Sequence, residues 1–196
     1  PHFNENFGLM RLNPNGDNDS TFGVNGLLNS DMGDSTEMLR SIALQPDGKI
    51  VAVGSVGPYS NFAQNDIAIA RYLNNGSLDI SFGNGGIVLN DIAFEDHAQK
   101  VLIQADGKIV IAGISVNDTL FETKTFILRY LSNGQIDNTF GIQGMFSHRS
   151  NAFGCADMAL QPDGKIVAVV TLLDANFNHE NSILRLNTDG TLDNTF

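Results

Sequence analysis

Short apolar segments rich in β-branched residues recur along the chain, and glycine, asparagine or aspartate bounds each of them. In the middle of the chain these segments are residues 86–89, 98–104, 108–115 and 125–130. None shows the 3.6-residue period of a helix. The pattern predicts four β-strands here, with the short segment as the first. Residues 105–107 are predicted to form a tight hairpin turn of the two-residue type, in which Gly107 supplies a positive φ.

The same succession of segments returns along the chain. A Gln-x-Asp-Gly-Lys-Ile-Val block occurs at residues 45–51, 104–110 and 161–167. A second block begins at an arginine and continues with a glycine, an aspartate and a phenylalanine at fixed offsets. Its four arginines are Arg11, Arg71, Arg129 and Arg185, and its phenylalanines are Phe22, Phe82, Phe140 and Phe196. A period this long indicates one supersecondary unit copied in tandem.

Four antiparallel strands repeated radially make a propeller blade. A β-sandwich would not repeat its strands in this register, and a β-solenoid coil normally has a much shorter period, so propeller blades are favoured over both. We therefore predict an all-β fold in a single repeat domain over residues 1–196. Three blades of four antiparallel strands span residues 23–82, 83–140 and 141–196, and an extra outer-strand unit at residues 1–22 precedes them.

The residues that recur in every unit are interpreted as structural, because catalytic residues rarely recur once per repeat. Aspartates beside glycine in the turns cap backbone N–H groups. Arg71 and Asp79 flank a turn, and every copy repeats this pair, which predicts a tie within a hairpin or between blades. The phenylalanines are predicted to plug the crossing from one blade to the next. The aspartates in question are Asp47, Asp106 and Asp163 in the hairpin turns, and Asp19, Asp137 and Asp193 in the other pairs.

These motifs resemble the delta-60 repeat, a family also described as a β-propeller domain of unknown function. The resemblance rests on Leu-Asp-Ile-Ser-Phe-Gly-Asn-Gly-Gly at 78–86, on Ile-Asp-Asn-Thr-Phe-Gly at 136–141 and on the three Asp-Gly-Lys blocks. It covers essentially the whole chain. It implies propeller repeats of large secreted or surface proteins of bacteria, often with no assigned activity. Ala105 replaces proline in the second turn, and Val170 replaces the glycine of the other copies, which predicts a local irregularity in the third blade.

The copies differ from one another mainly in two sets of loops, which an antiparallel blade places at the same end. The first set is residues 29–37, 90–97 and 147–156, and the second is 57–65, 117–124 and 174–181. One face of the propeller is thus predicted to be uniform and the other varied. Varied loops on a rigid scaffold usually carry binding specificity, although relaxed drift of unused loops gives the same pattern. The predicted ligand-binding residues are Tyr59, Phe62, Phe94, His97, Phe121, Phe153, Phe177 and His179.

Only 17% of the residues are charged, yet the net charge is −11. This balance argues against nucleic acid and against an anionic membrane surface, since both are bound through clustered lysines and arginines. No apolar run approaches the length of a membrane span. The single cysteine, Cys155, excludes an intrachain disulfide and is predicted to act as a small buried hydrophobe.

The sequence is compatible with two further chemistries only in part: a Ca²⁺ loop and an enzyme site. Asn13, Asn15, Asp17 and Asp19 place oxygen atoms at alternate positions, as Ca²⁺ loops do, but the aligned copies lose the acidic run, which favours a plain turn and no cofactor. The sequence contains no Gly-x-Ser-x-Gly elbow, no His-Glu-x-x-His motif and no phosphate loop. His97, His148 and His179 fall in the varied loops, where exposed histidines are the default interpretation.

Two classes of function are predicted. The first is a non-catalytic module, secreted or at the cell surface, that binds glycan or protein through the varied loops or assembles through them. The alternative is a propeller-based hydrolase or lyase with acidic and histidine side chains on the varied face. Closed propellers have four to eight blades. Three blades, preceded by a fourth strand without its own blade, therefore predict self-association or neighbouring repeat domains.

Overall fold

The computed structural model describes residues 6–32, 35–58, 64–117, 122–150, 154–173 and 179–196. Within these ranges the chain is all-β, and no helix is long and apolar enough to cross a membrane. The strands are β1 (Phe7–Met10), β2 (Leu27–Ser30), β3 (Ser35–Leu44), β4 (Ile50–Pro58), β5 (Asp66–Tyr72), β6 (Ile87–Asn90), β7 (Glu95–Ile103), β8 (Ile109–Asn117), β9 (Glu122–Tyr130), β10 (Met145–Ser150), β11 (Cys155–Leu160), β12 (Ile166–Leu173) and β13 (His179–Leu186).

The strands form antiparallel sheets in which neighbours in sequence are neighbours in space. Blade 1 contains β3, β4, β5 and β6, and blade 2 contains β7, β8, β9 and β10. Blade 3 contains β11, β12 and β13, and β1 pairs with β2 as a separate two-stranded half-blade. Strand β3 contacts β7, and β7 contacts β11. These three are therefore the inner strands, nearest the propeller axis.

The short strand of each unit joins the blade before it. β6 pairs with β5, where Ile67 lies opposite Asn90, and β10 pairs with β9. The blade of four antiparallel strands is thus confirmed in blades 1 and 2, while blade 3 has three strands among the described residues. The prediction that the short strand opens its own blade is wrong. The reason is local: Arg71 donates its backbone N–H to the carbonyl of Gly86 at 2.9 Å, which folds the chain straight back onto β5. The predicted boundaries of the sequence repeats stay a prediction.

The core lies between the blades. The central strands β4 and β5 are buried along almost their whole length because a neighbouring layer covers each face of the sheet. Val53 and Ile69 of blade 1 pack in one cluster with Val101 and Phe126 of blade 2. A second cluster joins blades 2 and 3, and a third joins the half-blade to blade 1. Full burial of each such side chain contributes about 1.5–3 kcal/mol.

The Asp-Gly turns have the predicted capping but a different length. Gln45 accepts a hydrogen bond from the N–H of Gly48 and donates its own N–H to the carbonyl of Lys49. The loop therefore contains three residues rather than two, a type I turn followed by Gly48 at φ 83°. The carboxylate of Asp47 accepts the N–H of Lys49 at 3.2 Å, which confirms the cap.

The recurring arginine pairs are ties between blades, as predicted. Arg129 Nε donates to Asp137 at 2.8 Å, and the guanidinium lies 4.6 Å from the ring centroid of Phe140. Its Nη1 reaches the next blade and donates to the carbonyl of Thr188 at 2.6 Å. Phe140 is fully buried at this crossing, so its predicted role as a plug is also confirmed.

Candidate functional site

The two ends of the blades differ in the way the sequence predicts. At one end the Asp-Gly turns lie beside the turns that follow the arginines: Gln45, Asp47, Arg71 and Asn133 line one shallow cleft there. At the other end β6 finishes beside the start of β5, and Asp96 donates its N–H to the carbonyl of Asn65 at 2.7 Å. The variable segments of blades 1 and 2 therefore meet on one face.

Only part of the predicted binding set lies in the described ranges. Tyr59, Phe62, Phe121, Phe153 and Phe177 lie outside the described residues. His179 is the first residue of β13, and its side chain is likewise outside the described part. Phe94 and His97 are described, but they line two different clefts. Phe94 and His97 therefore do not belong to one shared binding surface.

Phe94 is 38% exposed and borders a cleft of about 710 Å³ on the varied face. Asp66 and Asp91 line the same cleft. Burial raises the pKa of Asp66, and the negative charge of Asp91 raises it further. Two aspartates on one cleft, with the pKa of one raised, are the kind of pair that the alternative hydrolase hypothesis requires. Across the described residues no group of three or more His, Cys, Asp or Glu side chains is placed to hold a metal ion.

His97 forms a hydrogen-bonded chain between blades 1 and 2. Its Nδ1 lies 3.1 Å from Ser55 Oγ, and its Nε2 lies 2.8 Å from a carboxylate oxygen of Glu95. A serine, a histidine and a carboxylate in line resemble a catalytic relay. However, Ser55 is only 3% exposed, so its hydroxyl is not presented to a substrate. The chain instead fixes the His97 ring at the blade junction.

The side chains of the weak Ca²⁺ candidate form hydrogen bonds within their own turn. Asn15 Nδ2 donates to Asp17 at 2.8 Å, and Asn13 Nδ2 donates to the carbonyl of Asn18. Asp19 accepts hydrogen bonds from Arg11 and Thr21, as its counterparts do in the other copies. This is the plain-turn arrangement that the sequence comparison of the copies favours.

Each inner strand carries a β-bulge at the same position. The pairing register shifts between Leu39 and Ser41 in β3, between Ala98 and Lys100 in β7, and between Cys155 and Asp157 in β11. The three bulged residues are Arg40, Gln99 and Ala156. A bulge re-aims the side chain of its extra residue and is common beside functional sites.

The three bulges surround one cleft, which we name the axial cleft. Its volume is about 530 Å³, and its lining residues are Arg40, His97, Gln99, Lys100, Ile114, Cys155 and Ala156. The side-chain oxygen of Gln99 accepts the N–H of Cys155 at 2.9 Å, so blades 2 and 3 are joined at its wall. The volume is that of a small-molecule site, and the wall combines apolar and polar groups.

The cations of the chain are unevenly distributed around this cleft. Of the eleven lysines and arginines, two line it: Arg40, and Lys100, whose ion pair with the largely exposed Asp157 is long at 3.5 Å. Lys124 and Arg149 pair with Glu122. The other seven belong to the repeated ties: Arg11, Lys49, Arg71, Lys108, Arg129, Lys165 and Arg185. The axial cleft is therefore lined by two cations, Arg40 and Lys100, that belong to none of the repeated ties.

Cys155 is 2% exposed, which confirms the buried role predicted for it. Burial raises the pKa of the Cys155 thiol to about 12. We expect Ellman's reagent at pH 8 to react with the folded protein at least about 100-fold more slowly than with the urea-unfolded chain, because the thiolate is the reactive form. The single cysteine gives the whole signal. Equal rates in the two states would contradict the burial of the thiol.

Arg40, Gln99, Lys100 and Ala156 of the axial cleft are not among the binding residues predicted from the sequence. A usable signal existed, since Arg40, Gln99 and Ala156 each lie five residues before the glutamine of a Gln-x-Asp-Gly block. The copies thus differ at one aligned strand position as well as in the loops. The bulge itself could not be predicted, because it is a property of the pairing between β-strands.

Comparison with protein families gives a match to a domain of unknown function (DUF5122) described as a beta-propeller. The matched stretches are residues 45–82, 104–140 and 161–196, which together make up more than half of the chain. They contain the Asp-Gly turns, the strands β4, β5, β8, β9, β12 and β13, and the arginine ties of residues 71–82, 129–140 and 185–196. A search of curated proteins finds no match. Sequence match, sheet architecture and blade ties agree, and the chain belongs to the DUF5122 β-propeller family.

Proposed function

We propose that this propeller domain is a non-catalytic binding module whose axial cleft takes a small organic anion, such as an acidic sugar. The observation that carries the proposal is the pair of cations, Arg40 and Lys100, on one cleft of an acidic protein. Arg40 lies on a bulge that turns it out of the regular strand pattern. A guanidinium and an ammonium converging on a cleft favour a carboxylate over a neutral ligand.

The remaining walls suit a compact polar ligand. His97 is held in place by Ser55 and Glu95, and Gln99 by its bond to Cys155, so both lining groups are positioned by the blade junctions. Their hydrogen bonds are made within the protein, so they fix the shape of the wall, and a wall already in place loses little entropy when a ligand binds. Ile114 and Cys155 supply an apolar part of the wall.

The family match leaves out nearly all of this cleft. Among its lining residues only Ile114 falls within the matched stretches, whereas Arg40, His97 and Lys100 lie outside them. The matched stretches instead hold the ties that join the blades. This division supports a common scaffold that carries a binding cleft particular to this chain.

Titration calorimetry with galacturonate, and with galactose as its neutral counterpart, tests the proposal. We expect galacturonate to bind and galactose to bind at least about tenfold more weakly. Arg40→Gln should lower the affinity for galacturonate by about tenfold or more, since a hydrogen bond to a charged group contributes about 1.5–3 kcal/mol. Added salt should weaken the binding of galacturonate as well.

Arg149→Gln is the matched control, because Arg149 is a largely exposed arginine, paired at 3.7 Å with Glu122. It should leave the affinity unchanged. Failure of galacturonate to bind, equal affinity for the two sugars, or equal effects of Arg40→Gln and Arg149→Gln would each overturn the assignment of this cleft.

The setting of the module is a further prediction. A secreted or cell-surface location, as the delta-60 resemblance implies, fits a domain that binds an acidic glycan outside the cell. Fractionation of the producing cells tests this location directly.

A further inference from the structure

Asparagine or aspartate followed by glycine is the sequence at which a protein chain most readily reacts with itself. The glycine nitrogen attacks the side-chain carbonyl carbon of the residue before it and forms a cyclic imide, since glycine has no side chain to obstruct the approach. The chain contains nine such pairs, five with asparagine and four with aspartate. Their first residues are Asn15, Asn25, Asn75, Asn84 and Asn133, and Asp47, Asp106, Asp163 and Asp189.

In eight of the nine pairs the attacking nitrogen is held in a hydrogen bond. The glycine N–H of each of these pairs donates to a backbone carbonyl at 2.9 Å. The acceptors are the carbonyls of Asn13, Phe22, Gln45, Leu73, Gln104, Leu131, Gln161 and Asn187. An amide in such a bond is protected from losing its proton until the turn opens locally. These eight turns are therefore expected to suppress the reaction.

Gly85 is the exception. Among the described residues nothing accepts its N–H. Gly85 is exposed, and nothing lies within 4 Å of a Cβ built on it. It occupies the first position of a two-residue loop with φ 64°, in which Asn84 donates its N–H to the carbonyl of Ile87 at 2.8 Å. The ladder of such a tight turn leaves the nitrogen at this position unpaired.

The side chain of Asn84 is also open to attack. It is exposed, and it forms no hydrogen bond with another described residue. By contrast, the side-chain oxygens of Asn15, Asn75 and Asn133 each accept the N–H of the residue two positions later, at 3.0–3.2 Å. Within the described ranges, Asn84 is thus the asparagine of these pairs that combines an unrestrained side chain with an unrestrained nitrogen after it.

Asn25 provides a matched comparison inside the chain. It is exposed, and it lies in the equivalent turn of the preceding copy, where Val24 donates its N–H to the carbonyl of Leu27 at 2.7 Å. However, the N–H of Gly26 donates to the carbonyl of Phe22, and a Cβ built on Gly26 would lie 2.9 Å from the Cβ of Asn18. Asn25 and Asn84 therefore share their dipeptide sequence and their exposure but differ in the state of the glycine nitrogen.

We propose that Asn84 is a site of spontaneous modification, at which the side-chain amide is lost and aspartate and isoaspartate are formed. The nitrogen of Gly85 bonds to Cγ of Asn84, while the Cγ–Nδ2 bond breaks and Nδ2 leaves as ammonia with the proton of the Gly85 N–H. Water then opens the imide, adding its hydroxyl to a carbonyl carbon and its proton to the nitrogen. Opening at Cγ gives aspartate, and opening at the main-chain carbonyl gives isoaspartate.

The modification changes both the charge and the main chain at this turn. Either product adds one negative charge to a chain whose net charge is −11. Isoaspartate also routes the main chain through one additional carbon. The carbonyl of the neighbouring Gly86 accepts the N–H of Arg71, so the altered residue lies beside the bond that starts the pairing of β6 with β5. The proposal is independent of the axial cleft and of its ligand.

Peptide mapping by mass spectrometry, on folded protein kept in mildly alkaline buffer, tests the proposal. Asn84 should convert at least about tenfold faster than Asn25, because a hydrogen bond that must first break raises the barrier by about that factor. In the urea-unfolded chain the five asparagine pairs should convert at similar rates, since the turns are lost. The Asp-Gly pairs do not interfere, because their rearrangement changes neither mass nor charge.

Asn84→Gln removes the site, since the longer side chain would have to close a larger and more slowly formed ring. Asn25→Gln is the control, and both positions are exposed, so neither replacement should unfold the chain. Ion exchange of incubated samples should show the acidic form at least about tenfold less in Asn84→Gln than in Asn25→Gln. No conversion at Asn84, equal rates at Asn84 and Asn25 in the folded protein, or an unchanged acidic form in Asn84→Gln would overturn the proposal.

Discussion

Replacing Gly113 with alanine should destabilise the protein by about 3 kcal/mol, at the upper end of the cost of overpacking a core. A Cβ at this position would lie 1.9 Å from the carbonyl oxygen of His97 and 2.8 Å from the ring of Phe126. The first of these atoms belongs to the backbone of the neighbouring strand β7, which cannot move without breaking its pairing with β8. Urea unfolding followed by circular dichroism measures the loss.

Gly8→Ala is the matched control for this substitution. Gly8 also lies in a strand, β1, but nothing stands within 4 Å of an added Cβ. Its replacement should leave stability unchanged or raise it by about 0.5 kcal/mol, because alanine loses less chain entropy on folding. If the two variants lose similar free energies of unfolding, the close approach of β7 and β8 is not the reason for glycine at position 113.

The third blade shows how the chain accommodates a side chain at this position. Val170 stands where blades 1 and 2 have Gly54 and Gly113. Strand β11 begins only at Cys155, the residue opposite Val170, whereas β3 and β7 continue beyond the equivalent point. Gly154 turns away with φ 68°. The local irregularity predicted from Val170 is therefore present, as a shorter inner strand.

Replacing Asp137 with asparagine should cost about 3–5 kcal/mol, since it leaves the guanidinium of Arg129 buried without its anion. The side chains of Arg129 and Asp137 are 6% and 4% exposed. The equivalent substitution in the first copy, Asp19→Asn, should cost less than about 1 kcal/mol, because the side chains of Arg11 and Asp19 are 31% and 20% exposed and water replaces the lost partner. Urea unfolding of both variants makes the comparison.

The same ties predict the acid sensitivity of the fold. Burial opposes ionisation of Asp137, but hydrogen bonds from Thr139 and the charge of Arg129 outweigh it and hold its pKa at about 2. The hydroxyl of Ser81 and the charge of Arg71 likewise hold the pKa of Asp79 at about 2. Both values lie below the ordinary 3.8, so their contribution to stability is present above about pH 4 and is lost as the pH falls towards 2.

Asp137→Asn removes one of these carboxylates, so its stability should fall less steeply between pH 4 and 2 than that of the unmodified protein. Asp19→Asn should change the slope less, because Asp19 sits in the exposed copy of the tie. Parallel pH profiles for the unmodified protein and Asp137→Asn would contradict the assignment of the low pKa to this pair.

The sequence by itself determined the repeated elements of this protein. Strand identity follows from local patterns of apolar and polar residues, and turn positions follow from Asp-Gly and Asn-Gly pairs, whose conformational preferences are local. The ties could also be predicted. Residues equivalent to Arg71, Asp79 and Phe82 recur in every copy, and a residue that recurs in every copy is expected to be structural, because a catalytic residue is rarely needed once per repeat. The varied face followed from the alternating direction of antiparallel strands.

Only the tertiary structure decided which strands share a sheet and where the axial cleft lies. Membership of β6 in blade 1 depends on hydrogen bonds across a turn, and the bulges at Arg40, Gln99 and Ala156 depend on the register between strands. Register and packing between blades are set by contacts between residues far apart in the chain. A single sequence carries no direct signal of such contacts, so the position of the axial cleft on the inner strands could not be predicted from it.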